Sequence, residues 1–95
     1  MAKAYWIIAV NAHASERYHE YIEAAKPAYD KYGARFLVRG GDFECPEGKA
    51  KPRNIVVEFA SMDIARKCYH SELYQKAAKI RQQLADTDFL IIEGI

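Results

Sequence analysis

Arg39 ends the run Arg35-Phe36-Leu37-Val38-Arg39 and is followed at once by Gly40-Gly41, so its guanidinium stands at a bend where backbone can approach a ligand closely. A guanidinium is a planar fork of parallel N–H donors, which suits a carboxylate or an enolate. His70 falls at the joint between two helical stretches. Its ordinary titration range makes it the best available proton carrier, with hydrogen bonding to a backbone carbonyl as the competing role. Catalytic work, if there is any, is therefore expected of His70 and Arg39. Glu58 sits on the strand expected to pair with the one that carries Arg39, and a hairpin turning at Glu47-Gly48 would bring the two near each other diagonally. They would then form a salt bridge or share a ligand, whereas a bulge at Gly40-Gly41 would shift the register by one and separate their faces. Tyr21 and Tyr74 lie on helical faces that could line a cleft against the sheet, or simply pack the core. The expected ligand-binding set is Tyr21, Arg39, Glu58 and Tyr74.

Other chemistries lack their residues. His13 and His19 are separated by five residues, His70 is distant, and no His-x-x-x-His or Cys-x-x-Cys spacing exists, so no metal site is expected. Neither a Gly-x-Gly-x-x-Gly nor a Walker pattern is present, and no cofactor is expected. Ser15, Ser61 and Ser71 read as helix caps, Cys68 as a small hydrophobe on a buried stripe, and Cys45 as a loop thiol with nothing nearby to activate it. Lys and Arg total 14 against 13 Asp and Glu, which gives no electrostatic reason for a nucleic-acid or anionic-membrane partner. The small cluster Lys49, Lys51 and Arg53 reads as a solvated loop. No apolar run approaches the roughly 20 residues of a membrane span. Two widely separated cysteines, and a start that leads directly into a strand, predict free thiols and a cytoplasmic setting.

The elements that must position these groups follow from hydrophobic periodicity. Residues 1–95 are expected to form one domain. Tyr5 to Val10 is an unbroken apolar run, the mark of a strand covered on both faces. Ser15 caps a helix whose stripe is Tyr18, Tyr21, Ile22, Ala25, Ala28, Tyr29 and Tyr32; Pro27 predicts a kink or break near Ala24 to Lys26, and Gly33 ends it. Arg35 to Arg39 reads as a strand with Phe36 and Val38 on one face and Arg35, Leu37 and Arg39 on the other, continuing through Asp42 to Cys45 before the turn at Pro46-Glu47-Gly48. Asn54 to Phe59 is the third strand. Ser61 and Ser71 open two helical segments, the second with the stripe Leu73, Tyr74, Ala77, Ala78, Ile80 and Leu84. Asp86-Thr87-Asp88 reads as a polar turn before a fourth strand, Phe89 to Ile92.

The order β-α-β-β-α-β predicts an α+β, ferredoxin-like domain, a four-stranded antiparallel sheet with the helices on one face. The other face is apolar too. Left bare, it would exceed the patch that monomers tolerate, so a homodimer through the face opposite the helices is expected, burying more than about 1,200 Å².

Tyr18-His19-Glu20-Tyr21, Pro27, Lys31 to Gly41, Val57-Glu58-Phe59, Tyr69 to Gln75 and Glu93-Gly94 together resemble the small-protein family catalogued as domain of unknown function 1330. Leu73 stands where that family more often has glutamate. The resemblance covers nearly the whole chain and implies a dimeric α/β barrel. That superfamily includes cofactor-free oxygenases, muconolactone isomerases, haem-dependent relatives and stress-associated proteins, so it implies no single reaction. The expected function is binding of a small acidic or aromatic organic molecule in the helix-sheet cleft, with cofactor-free proton-transfer or oxygenase-like chemistry. The alternative is a non-catalytic structural or stress-associated protein of the same fold.

Overall fold

The computed structural model describes residues 2–95 apart from the side chain of Ser15, so the cap expected there lies outside the described residues. Its elements are β1 (Ala4–Ala12), a 3-10 turn (Ser15–Arg17), α1 (Tyr18–Tyr32), β2 (Arg35–Arg39), β3 (Arg53–Phe59), α2 (Met62–His70), α3 (Glu72–Leu84) and β4 (Ala85–Glu93). The strands pair antiparallel in the order β2-β3-β1-β4, the α+β ferredoxin-like arrangement.

Local chemistry sets the joints. Ser61 Oγ accepts from the Ile64 N–H at 3.2 Å and Ser71 Oγ from the Tyr74 N–H at 3.1 Å, so two serine caps separate α2 from its neighbours. Gly33 closes α1 with φ 66°. Pro27 causes no break. α1 is continuous from Tyr18 to Tyr32, although Pro27 has no N–H to donate.

The apolar run of β1 alternates in burial. Ala4, Trp6, Ile8 and Val10 are buried beneath the helices, while Tyr5, Ile7 and Ala9 face the other side of the sheet. β4 begins directly at the end of α3: Asp86, Thr87 and Asp88 are not a turn but strand residues opposite Asn11, Val10 and Ala9. The strand's period of two resolves the pattern, since Ala85, Thr87 and Phe89 share the helix side and both aspartates point away. The expected strand through Asp42 to Cys45 is also absent; Gly40 to Pro52 is an exposed connection, apart from the half-buried Lys51.

Trp6 is the centre of the core. Its ring lies 4.8 Å from Phe59, 4.7 Å from Tyr74 and 4.9 Å from Phe89, and its Nε1–H donates to the Ala65 carbonyl at 3.1 Å. Cys68, fully buried on α2, has its thiol pushed up to about 12 by burial, whereas Cys45 is exposed. A thiol reagent at pH 8 is therefore expected to modify one equivalent in the folded protein and two in denaturant, read by absorbance titration. Two rapid equivalents under native conditions would contradict that burial.

Candidate functional site

The sheet, α1 and the β2–β3 end form a cavity of about 170 Å³, open to solvent where Ile22, Lys26 and Arg39 are exposed. A cavity of roughly 150 Å³ holds a benzene, so the space suits one substituted six-membered ring. Ile8, Ile22, Phe36 and Ile55 supply apolar walls, and Tyr18, Tyr21 and Tyr29 add aromatic surface. Its charged lining residues are Lys26, Arg39 and Arg53, all cations.

Two features of the backbone bring the arginines there. In the β2–β3 ladder Phe36 pairs with Val57 and Val38 with Val56, so the strand bulges at Leu37. The register shift therefore falls inside β2 rather than at Gly40-Gly41. It divides Phe36 from Val38, which the strand's simple alternation would have joined, and rotates Arg39 to the helix side opposite Ile55. There its guanidinium stacks on the Phe36 ring, 4.0 Å from the centroid. The second feature is Gly40, with φ +66°, where a Cβ would lie 2.6 Å from Nη1 of Arg53. Arg53 is thus no loop residue: it opens β3, and its guanidinium lies in the space that Gly40 leaves. Its Nε is buried with no hydrogen-bond partner among the described residues.

Glu58 does not join this group. It pairs with Arg35 in the ladder, lies on the sheet face away from the helices, and accepts from Lys3 Nζ at 3.3 Å. The same bulge puts Arg39 and Glu58 on opposite faces. His70 also lies elsewhere, exposed at the end of α2 with its ring 5.1 Å from that of Tyr69, and it lines no part of the cavity.

Tyr21 and Tyr74 do meet, at 2.7 Å between hydroxyls. They belong to a longer chain: Tyr29 and Tyr21 hydroxyls are 3.2 Å apart, and Arg81 Nη1 donates to the Tyr74 hydroxyl at 2.5 Å. Burial holds the Tyr29 and Tyr74 hydroxyls far above the usual tyrosine range, and Tyr21 adds to the effect, so both stay protonated. Tyr18 is pushed up to about 12, again chiefly by burial.

Arg81 itself is 3% exposed and has no carboxylate partner among the described residues. Its guanidinium lies 5.3 Å from the Phe89 ring, 5.4 Å from Tyr21 and 5.9 Å from Tyr74, so aromatic faces offset part of its burial. One sequence signal marks it: Arg81 is seven residues after Tyr74, on the stripe of Tyr74, Ala77, Ala78 and Leu84, where a charge is out of place. Arg81 also borders a second, wider cavity of about 510 Å³, with Tyr69, Gln82 and Thr87. Among the described residues no three His, Cys, Asp or Glu side chains gather as a metal site, and no helix is long and apolar enough to cross a membrane.

Solved structures with this architecture include a protein of unknown function from Rhodopseudomonas palustris, at TM-score 0.77 and 16% identity over 99% of this chain and 83% of that one. The fold is also similar to SnoaB, a cofactor-independent oxygenase from Streptomyces nogalater, at TM-score 0.67 and 9% identity, covering 100% of this chain and 95% of that one. A putative antibiotic biosynthesis monooxygenase from Nitrosomonas europaea aligns at TM-score 0.54 and 12% identity, over 100% and 93% of the two chains. No curated protein matches the sequence. With residues 3–95 matching its pattern, the chain belongs to the family described as Domain of unknown function (DUF1330).

Proposed function

We propose that the cavity beneath α1 binds a single-ring aromatic, or similarly sized apolar, organic acid. The observation that carries this reading is the pairing of apolar walls sized for one ring with a charged lining made only of cations, Lys26, Arg39 and Arg53. An apolar body would fill the space between Ile8, Ile55 and Phe36, while a carboxylate or enolate would take the parallel N–H donors of Arg39. The likeness in fold to a cofactor-independent oxygenase supports proton-transfer or oxygenase-like chemistry without a cofactor. In that chemistry the protonated tyrosines, not His70, would serve the ligand. The exposure of His70 away from the cavity favours a second reading, in which the protein binds such a molecule without turning it over.

The protein would act as a cytoplasmic homodimer through the sheet face opposite the helices. Ile7, Val38, Leu90 and Ile92 lie exposed on that face, and a two-fold partner sheet about 10 Å away would cover them.

Thermal melts across a panel of benzoates, neutral benzenes and aliphatic acids test the ligand class. Benzoates are expected to raise the melting temperature most. Arg39→Ala should weaken their binding about ten- to a hundredfold, the worth of a charge-assisted bidentate contact, while hardly changing the melting temperature of the free protein. Equal shifts for wild type and Arg39→Ala with every compound would refute the reading.

A further inference from the structure

The direction of the buried hydroxyl chain is fixed by its donor-only end. Arg81 can only donate, so the Tyr74 oxygen accepts its proton, and each tyrosine has one proton left to place. If Tyr74 accepted from Tyr21 as well, its own proton would be stranded in the core, where Tyr74 is 0% exposed, at a cost of about 1–3 kcal/mol. Tyr74 must therefore donate to Tyr21, 2.7 Å away. Either Tyr21 then donates to Tyr29 or the reverse, and in both cases one proton remains without an acceptor among the described residues. That proton falls on Tyr21 or Tyr29, and both line the cavity beneath α1. A buried guanidinium thus polarises a run of hydroxyls towards a space whose charged lining is all cationic.

We propose that the chain Arg81–Tyr74–Tyr21–Tyr29 is a polarised donor that holds an anionic oxygen of the ligand, a phenolate or an enolate, with Arg81 as its positioning residue. This rests on the cavity being the ligand site. Hydrogen bonds in such a run strengthen one another, and a donor backed by a cation in a dry setting favours the ionised form of its acceptor. Titratable and charged groups facing the bound oxygen are Tyr18, Tyr21, Lys26 and Tyr29 from α1, Arg39 from β2 and Arg53 from β3. The three cations act in the same sense as the chain, so the test must separate the two contributions. When a phenol binds in this way its O–H bond breaks, the proton passes to bulk buffer, and the electron pair stays on the oxygen that accepts from the tyrosine.

The probe is 4-nitrophenol, whose phenolate absorbs in the visible, with 4-nitroanisole as the analogue that has no acidic proton. In wild type, bound nitrophenol is expected to show the phenolate band below the pH at which the free compound ionises. Tyr21→Phe, which cuts the chain, should lower the preference for phenolate over nitroanisole by about tenfold, the worth of a hydrogen bond to a charged acceptor. Arg81→Gln should move the spectrum in the same direction, and Arg81→Lys should restore part of it. Nitrophenol bound as the neutral phenol in wild type would overturn the proposal without reference to any variant, as would a full phenolate band in Tyr21→Phe. In both of those cases binding itself persists and the cavity reading stands. Binding of neither probe would remove the cavity reading and this proposal with it.

Discussion

Replacing Trp6 with alanine is expected to cost about 3–5 kcal/mol, which is a large part of the roughly 5–14 kcal/mol that a chain of this length has to lose. The indole is 0% exposed, packs against Phe59, Tyr74 and Phe89, and donates to the Ala65 carbonyl at 3.1 Å, so its loss opens a cavity and strands an acceptor together. For a domain of this size the melting temperature should fall by about 15–30 °C. Trp6→Phe separates the two effects. It keeps most of the ring but cannot donate to Ala65, and should cost about 1–3 kcal/mol. Urea unfolding of the three proteins measures both steps, and a loss below about 1 kcal/mol for Trp6→Ala would contradict the packing described here.

Leu90→Lys is expected to turn the proposed dimer into a monomer without unfolding it. Leu90 is 59% exposed in the single chain and pairs with Ile7 beside Ile92, so a lysine there changes monomer stability by less than about 0.5 kcal/mol. A two-fold interface doubles the effect. Each copy loses about 2 kcal/mol of leucine burial, so the dissociation constant should rise about a thousandfold or more. Light scattering over a dilution series distinguishes the states. A wild type that runs at monomer mass at every concentration, or a variant that stays dimeric, removes this face as the interface.

Much of the scaffold is legible in the residues because it depends on period and on caps. Ser61, Ser71 and Gly33 mark joints through side-chain oxygens and a left-handed backbone that few other residues supply as well. The start of β4 was obscured because Asp86, Thr87 and Asp88 read as turn residues, although with Ala85 and Phe89 they alternate as a strand should. The candidate site was legible only in part. Tyr21, Tyr74 and Arg39 stand out by type and place, but the face that Arg39 occupies depends on a bulge at Leu37, and nothing in the side chain of leucine announces one. Arg53 was hidden by Lys49, Lys51 and Pro52, which make a solvated loop the natural reading, and its position depends on the space at Gly40. Arg81 had a signal of its own, a charge on an otherwise apolar stripe.

The bulge at Leu37 makes the charge of the cavity a matter of strand pairing as well as residue identity. A ladder that paired Leu37 with Val56 in place of Val38 would restore simple alternation, carry Arg39 across to the side of Glu58, and turn Val38 inward in its place. Such a slip would thus take one of the three cations out of the cavity lining while every amino acid stayed the same. Excision of Leu37 itself would leave Val38 opposite Val56 and Arg39 opposite Ile55, so a relative shorter by that residue would keep its arginine on the cavity side.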